Sequence, residues 1–287
     1  MGRTIRTRDG LALARRDWPS ADARGTIVIV HGLGEHIGRY AHVAARLNAN
    51  RWSVVGYDQR GHGASPGERG RIAAHDDLLL DLDAVIDDVR AEAGGPLILL
   101  GHSLGGLVVA RFVAGALESP RPSWHRNVDA LVLSSPALDI GMTGAKRALL
   151  ATLERLTPNL GIGNGLDATG ISRDPAVVAA YRADPLVHDR IAPRLIRFLA
   201  DSGPLVRQLA PRWNVPTLLL YAGSDRLVVP AGSAAFAAAA PAALVTARPF
   251  ASLFHEIFNE PEQDEVLGVL TAWLDTLNLT STTRSPR

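Results

Sequence analysis

The pentapeptide Gly101-His-Ser-Leu-Gly105 constrains the fold of this chain more than any other stretch. The apolar run Pro96-Leu-Ile-Leu-Leu100 leads into it and predicts a short buried strand. The segment that follows, Gly106-Leu-Val-Val-Ala-Arg-Phe-Val-Ala114, predicts a helix packed against that strand. A serine between two such elements is forced to the tip of a sharp bend. Glycines at 101 and 105 remove side chains where strand and helix must pass closely. The Ser103 hydroxyl then points away from the sheet, and the backbone N–H of Leu104 lies beside it. An ordinary serine in a glycine-rich turn is the plain alternative; the strand before and the helix after weigh against it.

The rest of the chain supplies the same alternation. Thr26–Val30 is a continuous apolar run, too uniform for a half-exposed strand, and is expected to be central and parallel. Further strands are expected at Trp52–Tyr57, Val128–Leu133, Val215–Tyr221 and Ala242–Phe250. Helical periods run through Arg39–Asn50, Leu78–Val89 and Glu262–Leu277. Asp9-Gly10, between two alternating runs, signals an N-terminal hairpin. The alternation stops between Ala137 and Arg212, where the chain is helical and loop-like. The expected fold is therefore α/β: a mostly parallel central sheet with helices on both faces. Residues 1–136 and 213–279 form its core, 137–212 a helical cap over the carboxyl edge of the sheet, and 280–287 a disordered tail.

Composition removes several classes of function. Lys and Arg total 30 against 29 for Asp and Glu, so there is no electrostatic footprint for nucleic acid. With 0 Cys, disulfides and thiolate chemistry are excluded. The start of the chain has charge but no apolar core, and no apolar run reaches membrane-spanning length, so a cytoplasmic location is expected. His255-Glu256 lacks the second histidine of a zinc-binding helix, and Gly32-x-Gly34 is followed by Gly38, one place late for a dinucleotide fingerprint. Neither metal nor cofactor is expected.

A serine nucleophile needs a base, and the base an orienting acid. In the α/β-hydrolase fold these follow in the order serine, acid, histidine. Asp225 sits just past the strand Val215–Tyr221, and His255 just past the last strand. Alone, each is an ordinary loop residue; three such residues in this order, each after its strand, point to a catalytic triad. The oxyanion of acyl transfer needs two backbone donors, expected from Leu104 and from Leu33 in the loop after the first core strand. His102 is expected to point away from its neighbour Ser103, and His62 to be a structural loop residue.

Six segments occur together: His31-Gly-Leu-Gly-Glu-His-Ile-Gly-Arg-Tyr40, Asp58-Gln-Arg-Gly-His-Gly-Ala-Ser65, Gly101-His-Ser-Leu-Gly-Gly106, Ser172-Arg-Asp-Pro175, Asp184-Pro-Leu-Val-His188 and His255-Glu-Ile-Phe-Asn-Glu-Pro261. Together they resemble the monoacylglycerol lipases and their lysophospholipase relatives, over nearly the whole chain. The resemblance implies Ser103, Asp225 and His255 as triad, Leu33 and Leu104 as oxyanion donors, and Glu35, Arg39 and Tyr181 at the glycerol end of the substrate. A surface ion pair is the alternative reading of Glu35 and Arg39. In some members a second histidine stands where this chain has Phe258. The implied activity is serine ester hydrolysis of monoacylglycerols or similar single-chain lipid esters. A lysophospholipase or short-chain carboxylesterase is the enzymatic alternative, and a ligand-binding receptor on the same scaffold the non-enzymatic one. Oligomeric state is not legible.

One further stripe bears on partners. Leu149, Leu153 and Leu156 share a helical face in Ala145–Thr157, with Leu150 close by. Such a stripe is either buried against the sheet domain or turned outward around the pocket mouth, where it would touch membranes or lipid aggregates.

Overall fold

The computed structural model describes residues 2–279. The chain opens with β1 (Arg3–Arg6), β2 (Ala12–Trp18) and β3 (Thr26–Val30), then α1 (Ala41–Ala49), β4 (Ser53–Tyr57) and α2 (Asp77–Glu92). β5 (Leu97–His102) runs straight into α3 (Leu104–Ala114), and β6 (Ala130–Ser134) follows. The next segment holds α4 (Gly144–Leu156), β7 (Ile162–Gly163), α5 (Pro175–Ala183), β8 (Arg190–Ile191) and α6 (Pro193–Leu209). β9 (Thr217–Ala222), α7 (Pro230–Ala239), β10 (Val245–Phe250) and α8 (Gln263–Thr276) complete the described chain. The tail expected to be disordered lies outside the described residues.

Eight strands form one sheet in the order β1-β2-β4-β3-β5-β6-β9-β10. From β4 onward every pairing is parallel, and the β1–β2 hairpin adds the antiparallel edge. The expected mostly parallel sheet is thus observed. Successive residues of a strand face opposite sides, and this splits the core in two. Val28, Val30, Leu99, Leu131 and Leu219 pack toward α2, α3 and α6, while Ile27, Ile29, Ile98, Leu100, Val132 and Leu218 pack toward α1 and α8. Both faces are covered, which is why these strands are apolar throughout.

The register brings one end of the sheet into line. Gly101 lies opposite Val30 and Leu133, and His102 opposite Ser134. Every loop at this end follows the carboxyl end of a parallel strand, where open α/β sheets bind ligands. At the bend after β5, a Cβ on Gly105 would overlap the backbone carbonyls of Val30 and His31, and one on Gly101 would overlap that of Gly105. The two glycines let strand and helix touch there.

Three details differ from the sequence expectation. α3 begins at Leu104 and takes Gly105 and Gly106 into its first turn. The alanine-rich stretch before Pro241 forms α7, a helix not among those expected, with its Phe236 buried. The 137–212 insert contains a two-stranded ribbon, β7 with β8, whose two-residue strands leave no periodicity to detect. Within the insert, Leu195, Phe198, Leu199 and Val206 of α6 join the core beneath α3. No described helix is long and apolar enough to cross a membrane.

Candidate active site

Ser103 is the N-cap of α3 and has φ 53° and ψ −117°, a conformation that L-residues rarely adopt. Strain of this kind costs roughly 1–3 kcal/mol and survives only where the surroundings enforce it. Here the adjacent strand and helix do so, and they present the hydroxyl to the open end of the sheet.

The structure brings Ser103, His255 and Asp225 into one hydrogen-bonded chain. Ser103 Oγ is 2.8 Å from His255 Nε2, and His255 Nδ1 is 2.7 Å from Asp225 Oδ2. A carboxylate can only accept, so Nδ1 carries the proton and Nε2 is the acceptor for the serine hydroxyl. The other carboxylate oxygen of Asp225 accepts from the backbone N–H groups of Leu227 (2.8 Å) and Val228 (3.0 Å). Burial works to raise the Asp225 carboxyl, but the His255 ring and these amides outweigh it and hold it below its ordinary value. Asp225 is thus locked in the ionised form that orients the imidazole.

His102, expected to point away from Ser103, packs against the histidine of the same chain of hydrogen bonds. Its buried ring lies 4.8 Å from that of His255, centroid to centroid, and its Nδ1 is 3.1 Å from Ser134 Oγ. Burial first, and then the neighbouring His255, lower it to about 3, so it stays neutral. A neutral ring supports His255 without repelling the imidazolium that acyl transfer creates. Only the sheet register, which sets His102 against Ser134, could have indicated this contact. His62 is a buried loop residue whose Nδ1 donates to the Arg60 carbonyl at 3.0 Å.

Leu33 and Leu104 both line the cavity around Ser103. Leu104 opens α3, so its N–H has no intrahelical acceptor. In the other loop the Gly32 N–H is occupied, donating to Glu35 Oε1 at 2.6 Å. The cavity has a volume of about 610 Å³. Its walls include Ile140, Met142, Leu199, Leu227 and Val228, mostly from the insert, with Glu35 and Tyr181 among the polar lining residues.

The residues expected at the glycerol end separate. Glu35 and Tyr181 line the cavity and Arg39 does not. Arg39 Nη1 donates to Glu35 Oε2 (2.7 Å) and Glu256 Oε1 (2.6 Å), and Nη2 to Glu256 Oε2 (2.7 Å). The ring of Tyr181 lies 4.9 Å from its guanidinium carbon. Two carboxylates and an aromatic face therefore engage the charge meant for the substrate, which corrects the expectation for Arg39. The ion pair of the alternative reading does form, but it is buried rather than at the surface, because Glu35 is only 3% exposed. Burial works to raise the Glu35 carboxyl, but the Arg39 guanidinium, with the Tyr40 hydroxyl donating to it, holds it down at about 2. Phe258 is buried in the core on the α1 and α8 side of the sheet and does not line the cavity.

Comparisons with known proteins agree with this architecture. A family model described as serine aminopeptidase, S33, matches residues 21–262. A monoacylglycerol lipase of Mycolicibacterium smegmatis is 38% identical over 267 residues, covering 89% of this chain and 90% of that one. A phospholipase of Bacillus subtilis is 30% identical over 263 residues, covering 90% and 98%. Among solved structures, the Paleococcus ferrophilus monoacylglycerol lipase has a TM-score of 0.81 at 35% identity and covers 91% of this chain and 98% of its own. Fold, geometry and likeness together define a serine ester hydrolase with the α/β-hydrolase fold. The matches run through both core and insert. The chain belongs to the monoacylglycerol lipase and lysophospholipase family of the α/β-hydrolases.

Proposed function

We propose that this protein hydrolyses monoacylglycerols, or closely similar single-chain lipid esters, to a free fatty acid and glycerol through an acyl-enzyme on Ser103. The observation that carries the reading is the Ser103–His255–Asp225 chain opening into a mostly apolar cavity of about 610 Å³, large enough for one acyl chain. Ser103 Oγ attacks the ester carbonyl as its proton passes to His255 Nε2, while Asp225 stabilises the resulting imidazolium. The tetrahedral oxyanion accepts from the Leu33 and Leu104 amides. The C–O bond to the alcohol breaks, the leaving oxygen takes the proton from His255, and water repeats the sequence on the acyl-enzyme.

In this reading Tyr181 and Glu35 form the wall facing the alcohol, and residues 137–212 act as the cap that shields the acyl chain. Leu149 and Leu156 of α4 are 60% and 71% exposed, which supports contact of the cap with membranes or lipid aggregates. The names of the relatives divide between monoacylglycerol lipase and phospholipase. Hydrolysis rates across monoacylglycerols of graded chain length, beside lysophosphatidylcholine and a short aryl ester, test the assignment. Preference for a long-chain monoacylglycerol is expected. Equal or faster cleavage of lysophosphatidylcholine would make the protein a lysophospholipase, and turnover of the short ester alone a carboxylesterase.

A further inference from the structure

The oxyanion loop and the histidine loop must keep a fixed separation if the oxyanion donors are to meet a carbonyl held at Ser103. The sheet does not set that separation directly. The first loop follows β3 and the second follows β10, and β5, β6 and β9 lie between those strands. His42 reaches across to the Phe258 carbonyl at 2.8 Å, but the side chain that joins the two loops by charge is that of Arg39. Arg39 reaches Glu35 in the oxyanion loop and makes a two-pronged contact with Glu256, the residue after His255. Each carboxylate is tied in turn to its own loop. Glu35 Oε1 accepts from the Gly32 N–H at 2.6 Å and the Tyr40 hydroxyl at 2.7 Å. Glu256 Oε2 accepts from Asn259 Nδ2 at 2.8 Å, and the Glu256 N–H donates to the Ile171 carbonyl at 2.8 Å.

We propose that Arg39 is a positioning residue, which clamps the oxyanion loop to the histidine loop through Glu35 and Glu256 and makes no contact with the substrate. The proposal rests on the ester-hydrolase reading above. Three observations set it apart from a role in substrate binding. Arg39 does not line the cavity. Its donors are turned to the two carboxylates, and the Tyr181 ring covers one face of the guanidinium. Glu35 and Glu256 are 3% and 6% exposed, so without Arg39 two buried carboxylates would face each other uncompensated. Glu35 would then leave the Gly32 amide, and the loop carrying Leu33 would lose its anchor. A lysine cannot replace the clamp, since a single ammonium does not reproduce the planar fork that serves both carboxylates.

The test uses Arg39→Lys and Arg39→Met on two esters with the same acyl chain, one a monoacylglycerol and the other an aryl ester. Three quantities are measured: kcat/KM for each ester, the rate of inactivation by a serine-directed phosphonate, and the inhibition constant of a non-cleavable 1-O-alkylglycerol ether. The clamp predicts that kcat/KM falls by the same factor for both esters, roughly tenfold to a hundredfold for a displacement of about 1 Å. Phosphonate inactivation slows in parallel, because its tetrahedral adduct uses the same donors, while the ether, which makes no use of them, weakens by much less than kcat/KM falls. A loss confined to the glycerol ester, an ether weakened as much as kcat/KM falls, or unchanged kcat/KM would each overturn the proposal. If the arginine variants do not fold, Glu256→Gln keeps the shape and cuts one side of the clamp. It should then show the same pattern at smaller size, and wild-type kinetics in that variant would also overturn the clamp. Absence of ester turnover by the wild-type protein would instead defeat the underlying assignment of function.

Discussion

At the scale of single residues, the site depends on a few side chains whose charge is fixed by their neighbours. Asp225 is held ionised and His102 neutral on either side of the His255 ring, whose Nε2 lies 2.8 Å from Ser103 Oγ. Ser103→Ala, His255→Ala and Asp225→Asn should each lower turnover by roughly 10⁴-fold or more, and combining them should add little because the three act as a unit. Steady-state kinetics of the single and triple variants, with circular dichroism to verify the fold, check this; additive losses would contradict a shared mechanism. The order of Ser103, Asp225 and His255, each after a strand, was legible because that fold imposes it. The role of Arg39 was not. Its pairing with Glu35 is an i,i+4 contact visible in sequence, but its second partner, Glu256, is 217 residues away. Only the folded chain brings that carboxylate in.

At the scale of elements, the bend from β5 into α3 and the exposed face of α4 carry the clearest expectations. Gly105→Ala places a methyl group against two backbone carbonyls that belong to the central strand β3 and its loop. Backbone cannot move aside as a side chain can, so this variant should lose the soluble fold, read as a collapse of the melting transition. The same requirement is why Gly101-His-Ser-Leu-Gly105 was so informative: the glycines answer to close approach rather than to chemistry. The α4 stripe was ambiguous for the opposite reason, since periodicity shows an apolar face but not what covers it. The structure divides that face. Leu150 is 4% exposed, while Leu149 and Leu156 stand in solvent. Leu150→Ala should therefore cost about 2–5 kcal/mol. Paired Leu149→Ser and Leu156→Ser should leave the melting temperature unchanged while reducing vesicle binding and long-chain hydrolysis. A marked drop in melting temperature for that pair would contradict the lipid-contact reading of the cap.

At the scale of the whole molecule, the buried histidines make stability depend on pH. Burial lowers His188 to about 4 and His102 to about 3, and it also lowers His31 and His62. In the unfolded chain all four titrate near the ordinary value of 6.5. Below that value the unfolded state binds protons that the native state refuses, so stability rises with pH through this window and is lost as pH falls. The contribution is complete above about 6.5 and declines steadily toward 4. Urea midpoints measured from pH 7.5 down to 5 should begin to fall near 6.5, the fall being offset in part by Asp81, which burial raises to about 6 and which takes up a proton in the native state, and His188→Gln should flatten part of the slope. A constant midpoint between 6.5 and 5 would contradict the neutral burial of these rings. The centre of the sheet was readable from sequence because β3, β5 and β6 are covered on both faces and carry unbroken apolar runs. The β7–β8 ribbon was not, being only two residues on each side.

The most direct measurement of the central claim is the identity of the acylated residue. The enzyme is mixed with a monoacylglycerol, quenched in acid within the first turnovers, and mapped by peptide mass spectrometry. The account predicts one acyl group, equal in mass to that of the substrate, on the peptide containing Ser103, and neither adduct nor turnover in Ser103→Ala. Acylation of a different residue, or continued hydrolysis by Ser103→Ala, would contradict it.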